Sequence, residues 1–281
     1  SSNQFFAQMA NFLGRERTAE TARILGITPA ETPTEALTQG FFPEVWNASN
    51  ARIANSIAPA RATIVTGKEL TEYDFGVEGM GQGMAGQMTP FQMALIASAP
   101  ANLKGMLMKP KIEADIQPQM FSQVLSPDQA FTIRDIMSTV TEEPGGTAGI
   151  VRAKLAGTGI QTGGKTGTAD KDGVQEYNKD GTKKMTKGRR KNADGIWETV
   201  DVPVKRTRWD GWFLAIAPLE NPQVAIAVVV EDIGGSAYGG TTAAPIAAAL
   251  ILKLRELGLL GDKYKTAAKA PVPAKTTKKP R

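Results

Sequence analysis

The densest run of residues able to do chemistry is Gly163-Gly164-Lys165-Thr166-Gly167-Thr168, a lysine ammonium and two hydroxyls set among three glycines. Two chemistries fit it. Counted from Gly159, the run satisfies the phosphate-cradling pattern of a glycine, four residues, then Gly-Lys-Thr, in which backbone amides and the lysine hold a nucleotide's phosphates. Val224 to Asp232 even imitates the acid-tipped strand that positions magnesium in such enzymes. Alternatively, Lys165 to Thr168 is a stretch of strand. The missing side chain at Gly167 then lets a ligand backbone lie close, Lys165 supplies a fixed positive charge, and the threonine hydroxyls bind a carboxylate. Context separates the two. A phosphate loop must open directly into a helix whose N-terminal amides face the phosphates, yet Lys165-Thr166 runs into Gly167-Thr168-Ala169-Asp170-Lys171-Asp172-Gly173, with two glycines and no apolar period. Val151 to Leu155 ahead of it is too polar for a buried parallel strand. The phosphate-loop NTPase, Gly159 to Thr166, is therefore the disfavoured alternative.

Composition narrows the chemistry further. The 281 residues contain no cysteine and no histidine, which excludes disulfides, thiolate sites, a cysteine nucleophile and any Ser-His-Asp triad, and removes the commonest metal ligand. A proton acceptor for acyl transfer must then be a lysine, carboxylate or tyrosine, and serine-lysine chemistry is the natural candidate. The carboxylates show no pairing that suggests a glycosidase or a metal site. They are assigned to solvated faces, and neither metal nor cofactor is expected. Net charge is +5, with 11 basic and 7 acidic residues in 170–208 and 7 basic and 1 acidic in 262–281. The remainder is mildly acidic, which argues against a nucleic-acid partner. Apolar runs such as Val224 to Val230 are far shorter than the roughly 20 residues that cross a bilayer.

The elements that must position these groups follow from periodicity and punctuation. Ser1 to Leu13 places Phe5, Phe6, Met9, Phe12 and Leu13 at helical spacing, with Gly14 as the stop, and Thr18 to Leu25 ends at Gly26. Ile27 to Leu70 is expected to be loop with short helical pieces. Gly81 and Gly83 are expected to be turn glycines. Thr89-Pro90-Phe91-Gln92 and Ser126-Pro127-Asp128-Gln129 each open a helix, with the glutamine returning a bond to the cap. Ala148 to Leu155 is a further helical segment. Ile160 to Ala169, Arg208 to Ala217 and Gln223 to Glu231 are expected strands, the last two joined by a turn at Pro218 to Pro222, and Ala243 to Leu259 is a closing helix. Late sequential strands behind helices imply an α+β fold with an antiparallel sheet flanked by helices. The expected organisation is one domain over 1–261, in which 170–208 is a charged projecting insertion between strands, followed by a basic disordered tail over 262–281.

Lys165-Thr166-Gly167-Thr168 paired with Ser1-Ser2-Asn3 before a helix resembles two of the three motifs of penicillin-binding and serine β-lactamase proteins. Gly81-Gln82-Gly83 leading to Thr89-Pro90-Phe91-Gln92, Trp212-Phe213 before Ala217-Pro218, and Val228 to Glu231 before Ala243-Ala244-Pro245-Ile246 look like the class B penicillin-binding proteins. For Trp212 and Phe213 themselves, core packing is the preferred role. The resemblance covers Ser1 to about Leu260, without 170–208. It implies a penicillin-binding transpeptidase or serine β-lactamase-like fold and a peptidoglycan D,D-transpeptidase that works through a serine acyl-enzyme; a β-lactam sensor or a β-lactamase is the alternative on the same fold. By resemblance, Ser1 relays a proton near the leaving group, Asn3 binds the donor amide, and Lys165 gives electrostatic support. Thr166 and Thr168 bind the substrate carboxylate beside Gly167, and the Thr168 amide forms one arm of an oxyanion hole. Partners implied are peptidoglycan stem peptides, β-lactams and a membrane glycosyltransferase. The implied location is the extracytoplasmic face of the bacterial cytoplasmic membrane, with the anchor outside this chain. The third motif departs from the pattern: none of the serines is followed by a lysine three positions on. The expectation is a fold truncated at its N-terminal side, inactive by itself.

Overall fold

The computed structural model describes residues 2–38, 62–83, 86–111, 114–234 and 237–265. Ser1 and most of the expected tail, 266–281, lie outside the described residues. Helix α1, Asn3–Ile24, is entered through Ser2, whose hydroxyl accepts the Phe5 N–H at 3.3 Å, one residue later than the sequence suggests. It is broken at Gly14, where φ is 80° and ψ 167°, the point at which the sequence divides two helices. The apolar face of its first half is not what packs. Phe5, Phe6 and Phe12 are exposed, whereas Ala10, Ala19 and Ala22 are buried. Helix α3, Glu72–Gly79, comes so near that a Cβ on Gly79 would stand 2.1 Å from the Ala10 Cβ, so small residues set this spacing.

Between these helices the expected loop contains regular structure. Strands β1 (Thr28–Ala30) and β2 (Ala62–Val65) pair in parallel, helix α2 spans Pro33–Thr38, and β3 (Gln87–Met88) joins β2 antiparallel. Strands of two to four residues carry too few alternations to be seen in a sequence. Helix α4, Pro90–Ala101, is capped by Thr89, which accepts the Gln92 N–H at 3.2 Å, but the Gln92 side chain does not return to the cap. It is fully buried and donates to the Leu25 carbonyl at 2.8 Å, satisfying an orphan carbonyl at the end of α1. Helix α5, Pro127–Thr141, forms both halves of its capping box: Gln129 N–H to Ser126 Oγ at 3.2 Å and Ser126 N–H to Gln129 Oε1 at 2.8 Å. Strands β4 (Met106–Met108) and β5 (Met120–Gln123) form a small antiparallel pair between α4 and α5.

Helix α6, Gly149–Lys154, leads into the main sheet. Its strands are β6 (Gly163–Gln175), β9 (Lys205–Ala217) and β10 (Val224–Ile233), antiparallel in the order β10-β9-β6. Period-two alternation sends Phe213, Ala215 and Ala217 of the central strand to one face. There they meet Ala243, Ala244, Ala247, Ala248 and Ile251 of helix α7, Gly239–Glu256, in the principal core. Phe213 is completely buried, as expected of a core residue, and its loss would cost about 3–5 kcal/mol. The other face, carrying Gly163 and Ile216, packs near Met137 of α5.

The charged segment is built of strand. β6 and β9 stay paired out to Gln175 opposite Lys205, and beyond them β7 (Met185–Lys191) and β8 (Trp197–Pro203) form a hairpin of their own. Two acidic residues assigned to solvated faces are in fact buried. Asp210 lies 2.7 Å from the Lys171 ammonium and accepts the Asp232 N–H at 3.0 Å, tying the root of this ribbon to β10. The second is Glu78, near the site.

Candidate active site

Lys165, Thr166, Gly167 and Thr168 lie in consecutive positions on β6, and because among the described residues β6 pairs with no strand but β9, its outer edge is free of a second strand there. The chain after Lys165 continues as strand to Gln175 instead of opening into a helix, so the phosphate-loop reading is not favoured. Alternation places Thr166 and Thr168 on the α7 side and Lys165 and Gly167 on the other. What brings them together is the edge.

On the α7 side, Thr166 Oγ1 lies 2.8 Å from Thr147 Oγ1, and the Gly239 N–H at the start of α7 donates to Thr168 Oγ1 at 3.4 Å. That helix end can approach only because it lacks side chains: a Cβ on Gly239 would stand 2.3 Å from the Gly167 carbonyl oxygen, and one on Gly240 2.1 Å from that of Thr147. From the opposite face the Lys165 ammonium bends to the edge and donates to the Thr166 carbonyl at 2.6 Å. The residue is exposed, yet the protein around its ammonium keeps enough water away to hold its pKa below the ordinary lysine value.

The edge is completed by a side chain. Gln82 donates from Nε2 to the Thr168 carbonyl at 2.7 Å and accepts the Asp170 N–H on Oε1 at 3.0 Å, as a neighbouring strand would. In a strand, the N–H and C=O of one residue point to the same side, so the Thr168 N–H also faces this edge. Gln82 is set by the end of α3: Gly81, at φ 82°, donates to the Glu78 carbonyl at 2.9 Å, and Gln82 N–H to that of Val77 at 3.1 Å, a glycine-terminated helix stop. Glu78 is buried. Its carboxylate accepts Val65 N–H at 2.9 Å and Gly86 N–H at 3.0 Å, and desolvation raises its pKa despite those two bonds.

Asn3 stands at the first turn of α1, exposed, beside a shallow groove shared with Ala7, Asn11, Gly76 and Val77. Among the described residues no hydrogen bond joins it to β6; the link runs through α3, which packs on α1 and is followed after its glycine stop by Gln82. Ser1 lies outside the described residues. Thr147 and Glu78 escaped the sequence reading, and Gln82 entered it only within the class B-like Gly81-Gln82-Gly83, whose glycines pointed to a turn and gave its side chain no role. Among the described residues, no cluster of acidic side chains could hold a metal.

A family model for the penicillin binding protein transpeptidase domain matches residues 1–252. Peptidoglycan D,D-transpeptidase PbpA of Mycolicibacterium smegmatis is 29% identical over 203 residues, which is 68% of this chain and 34% of that protein. In fold, penicillin-binding protein A of M. tuberculosis superposes with a TM-score of 0.55 at 22% identity, covering 89% of this chain and 46% of the other. The transpeptidase domain of Burkholderia pseudomallei penicillin-binding protein 3 gives 0.57 at 21%, covering 93% and 63%. The chain thus spans about a third of the curated relative and about half of the penicillin-binding protein A chain. With its antiparallel sheet, its flanking helices and its Lys-Thr-Gly-Thr edge strand, the chain belongs to the penicillin-binding protein transpeptidase domain family, as the class B resemblance of its sequence implied.

Proposed function

We propose that this chain supplies the substrate-binding edge and the charge-stabilising groups of a peptidoglycan D,D-transpeptidase. The observation that carries the reading is the open edge of β6. There an ammonium, two threonine hydroxyls and an outward N–H converge within four residues.

In the reaction, a serine hydroxyl attacks the carbonyl between the two D-alanines of a stem peptide, D-alanine leaves with a proton, and an amine from a neighbouring strand takes the acyl group and frees the serine. A β-lactam enters as the donor does and stops at the acyl-enzyme. The Thr168 N–H donates to the oxygen that becomes negative in the tetrahedral intermediate, where such a donor contributes about 3–4 kcal/mol. Thr166 and Thr168 hydroxyls receive the donor's terminal carboxylate. Lys165, with its lowered pKa, holds positive charge beside both, and Ser1 relays the proton to the leaving amine. Asn3 orients the donor amide from the α1 side. Gly167 leaves room for the peptide backbone along the strand.

The covalent step needs a Ser-x-x-Lys serine, which these 281 residues do not contain. Among the described residues no helix is long and apolar enough to cross a membrane, so work at the extracytoplasmic face of the cytoplasmic membrane, beside a membrane glycosyltransferase, relies on an anchor other than these segments. Labelled penicillin tests the reading. The chain by itself should form no covalent adduct, and joining it to a Ser-x-x-Lys segment of the family should produce one at that serine. Labelling of the isolated chain at one of its own serines, or no labelling of the joined protein, would overturn it.

A further inference from the structure

The Gln82 carboxamide occupies the strand-pairing position immediately beyond the Thr168 N–H, taking the Thr168 carbonyl and the Asp170 N–H together. A ligand backbone can therefore pair with β6 only as far as Thr168. The reach of Gln82 is itself fixed at two points. The Gly81 stop sets its backbone. The buried Glu78 carboxylate accepts the Val65 N–H of β2 with one oxygen and the Gly86 N–H, four residues beyond Gln82, with the other. Gly86 has no alternative there, since a Cβ would stand 2.3 Å from Glu78 Oε1 and 3.1 Å from the Thr63 carbonyl oxygen. A buried carboxylate spending both oxygens on backbone amides has a large desolvation cost, and the same residue accepts the Gly81 N–H on its carbonyl, so Glu78 is tied to the chain on both sides of Gln82.

We propose that Gln82, braced by Glu78, is a positioning residue for acyl transfer. It locks the outer edge of β6 so that the Thr168 N–H stands at a fixed place for the oxyanion, and it ends the pairing groove at the donor's terminal residues. The proposal rests on the transpeptidase reading for its catalytic half and on geometry alone for its hold on β6.

The two halves are tested separately. In the 281-residue chain, Gln82→Met should speed amide hydrogen exchange at Asp170 by about five-fold or more, with α7 amides unchanged. Gln82→Glu keeps an acceptor for Asp170 N–H but has no donor for the Thr168 carbonyl, so it should leave Asp170 protected. In the protein joined to a Ser-x-x-Lys segment, Gln82→Met should slow acylation by labelled penicillin at saturating drug roughly ten-fold or more. The half-saturating concentration should change little, and Gln82→Glu should fall between that variant and wild type. Unchanged Asp170 exchange in Gln82→Met, or full-rate acylation in a variant whose Asp170 amide has opened, overturns the proposal. Failure of the wild-type joined protein to acylate would sink the transpeptidase reading and the catalytic half with it, while the exchange result still judges the hold on β6.

Discussion

The hydroxyls of Thr147 and Thr166 lie 2.8 Å apart. Thr147 precedes α6 in sequence and has its carbonyl against Gly240 at the start of α7, so it fixes the rotamer of a β6 threonine from outside the sheet. Thr147→Val should leave Thr166 without that partner and weaken capture of a donor carboxylate by about five-fold, the worth of one hydrogen bond near 1 kcal/mol. Acylation rate against penicillin concentration measures this in the joined protein, where the half-saturating concentration should rise and the maximal rate hold.

Lys165 is held below its ordinary pKa by desolvation, so folding disfavours its charged form. That cost is present at neutral pH and is relieved as pH rises through the lowered value toward that of a free lysine. Lys165→Met should therefore unfold at the same or a slightly higher temperature than wild type at pH 7, and should lose the upward drift of wild-type stability above it. The same substitution should abolish most acylation in the joined protein. A Lys165→Met chain that melts well below wild type would mean the ammonium is structural.

Glu78 has the opposite sign of shift. Its folded pKa is raised by burial, so the stability it contributes is fully present below the ordinary glutamate value of 4.5 and is lost as pH rises through the raised value. Denaturant unfolding should therefore show this component declining between those two limits. Glu78→Gln removes that component of the pH dependence but sets an amide N–H against the Val65 or Gly86 N–H, costing about 1–3 kcal/mol at neutral pH.

Every residue of β7 except Gly188 is exposed, and a lone two-stranded hairpin is marginal in water. Brief trypsin treatment should cut first within 176–204, after which the remaining sheet should keep its melting temperature, because Lys171–Asp210 and the Arg206 and Arg208 pairs to Asp232 lie inside the cut. Mass spectrometry of the early fragments checks the order; first cuts within α5 or α7 would show that the hairpin is the better protected part.

Calorimetry with ATP or GTP and magnesium should give no heat of binding, since β6 continues as strand past Lys165. A micromolar affinity abolished by Lys165→Ala would contradict the strand assignment.

Local chemistry settled a good deal. The break at Gly14, the capping box of Ser126 and Gln129, the strand character of Lys165 to Thr168, and the three antiparallel strands are each written in a few neighbouring residues, because caps, glycine stops and alternation act over one or two turns. The absence of histidine and cysteine likewise confined the chemistry before any fold was known. The pairing of distant residues was a different matter. Gln82 meets Thr168 across 86 positions, Gln92 abandons its own cap for Leu25, and α1 packs through alanines rather than phenylalanines. Glu78 and Asp210 read as ordinary surface acids until their amide and ammonium partners close around them. A side chain's choice between solvent, its own helix and a remote backbone turns on which groups the chain brings within about 3 Å, and that is decided only when helices and strands pack.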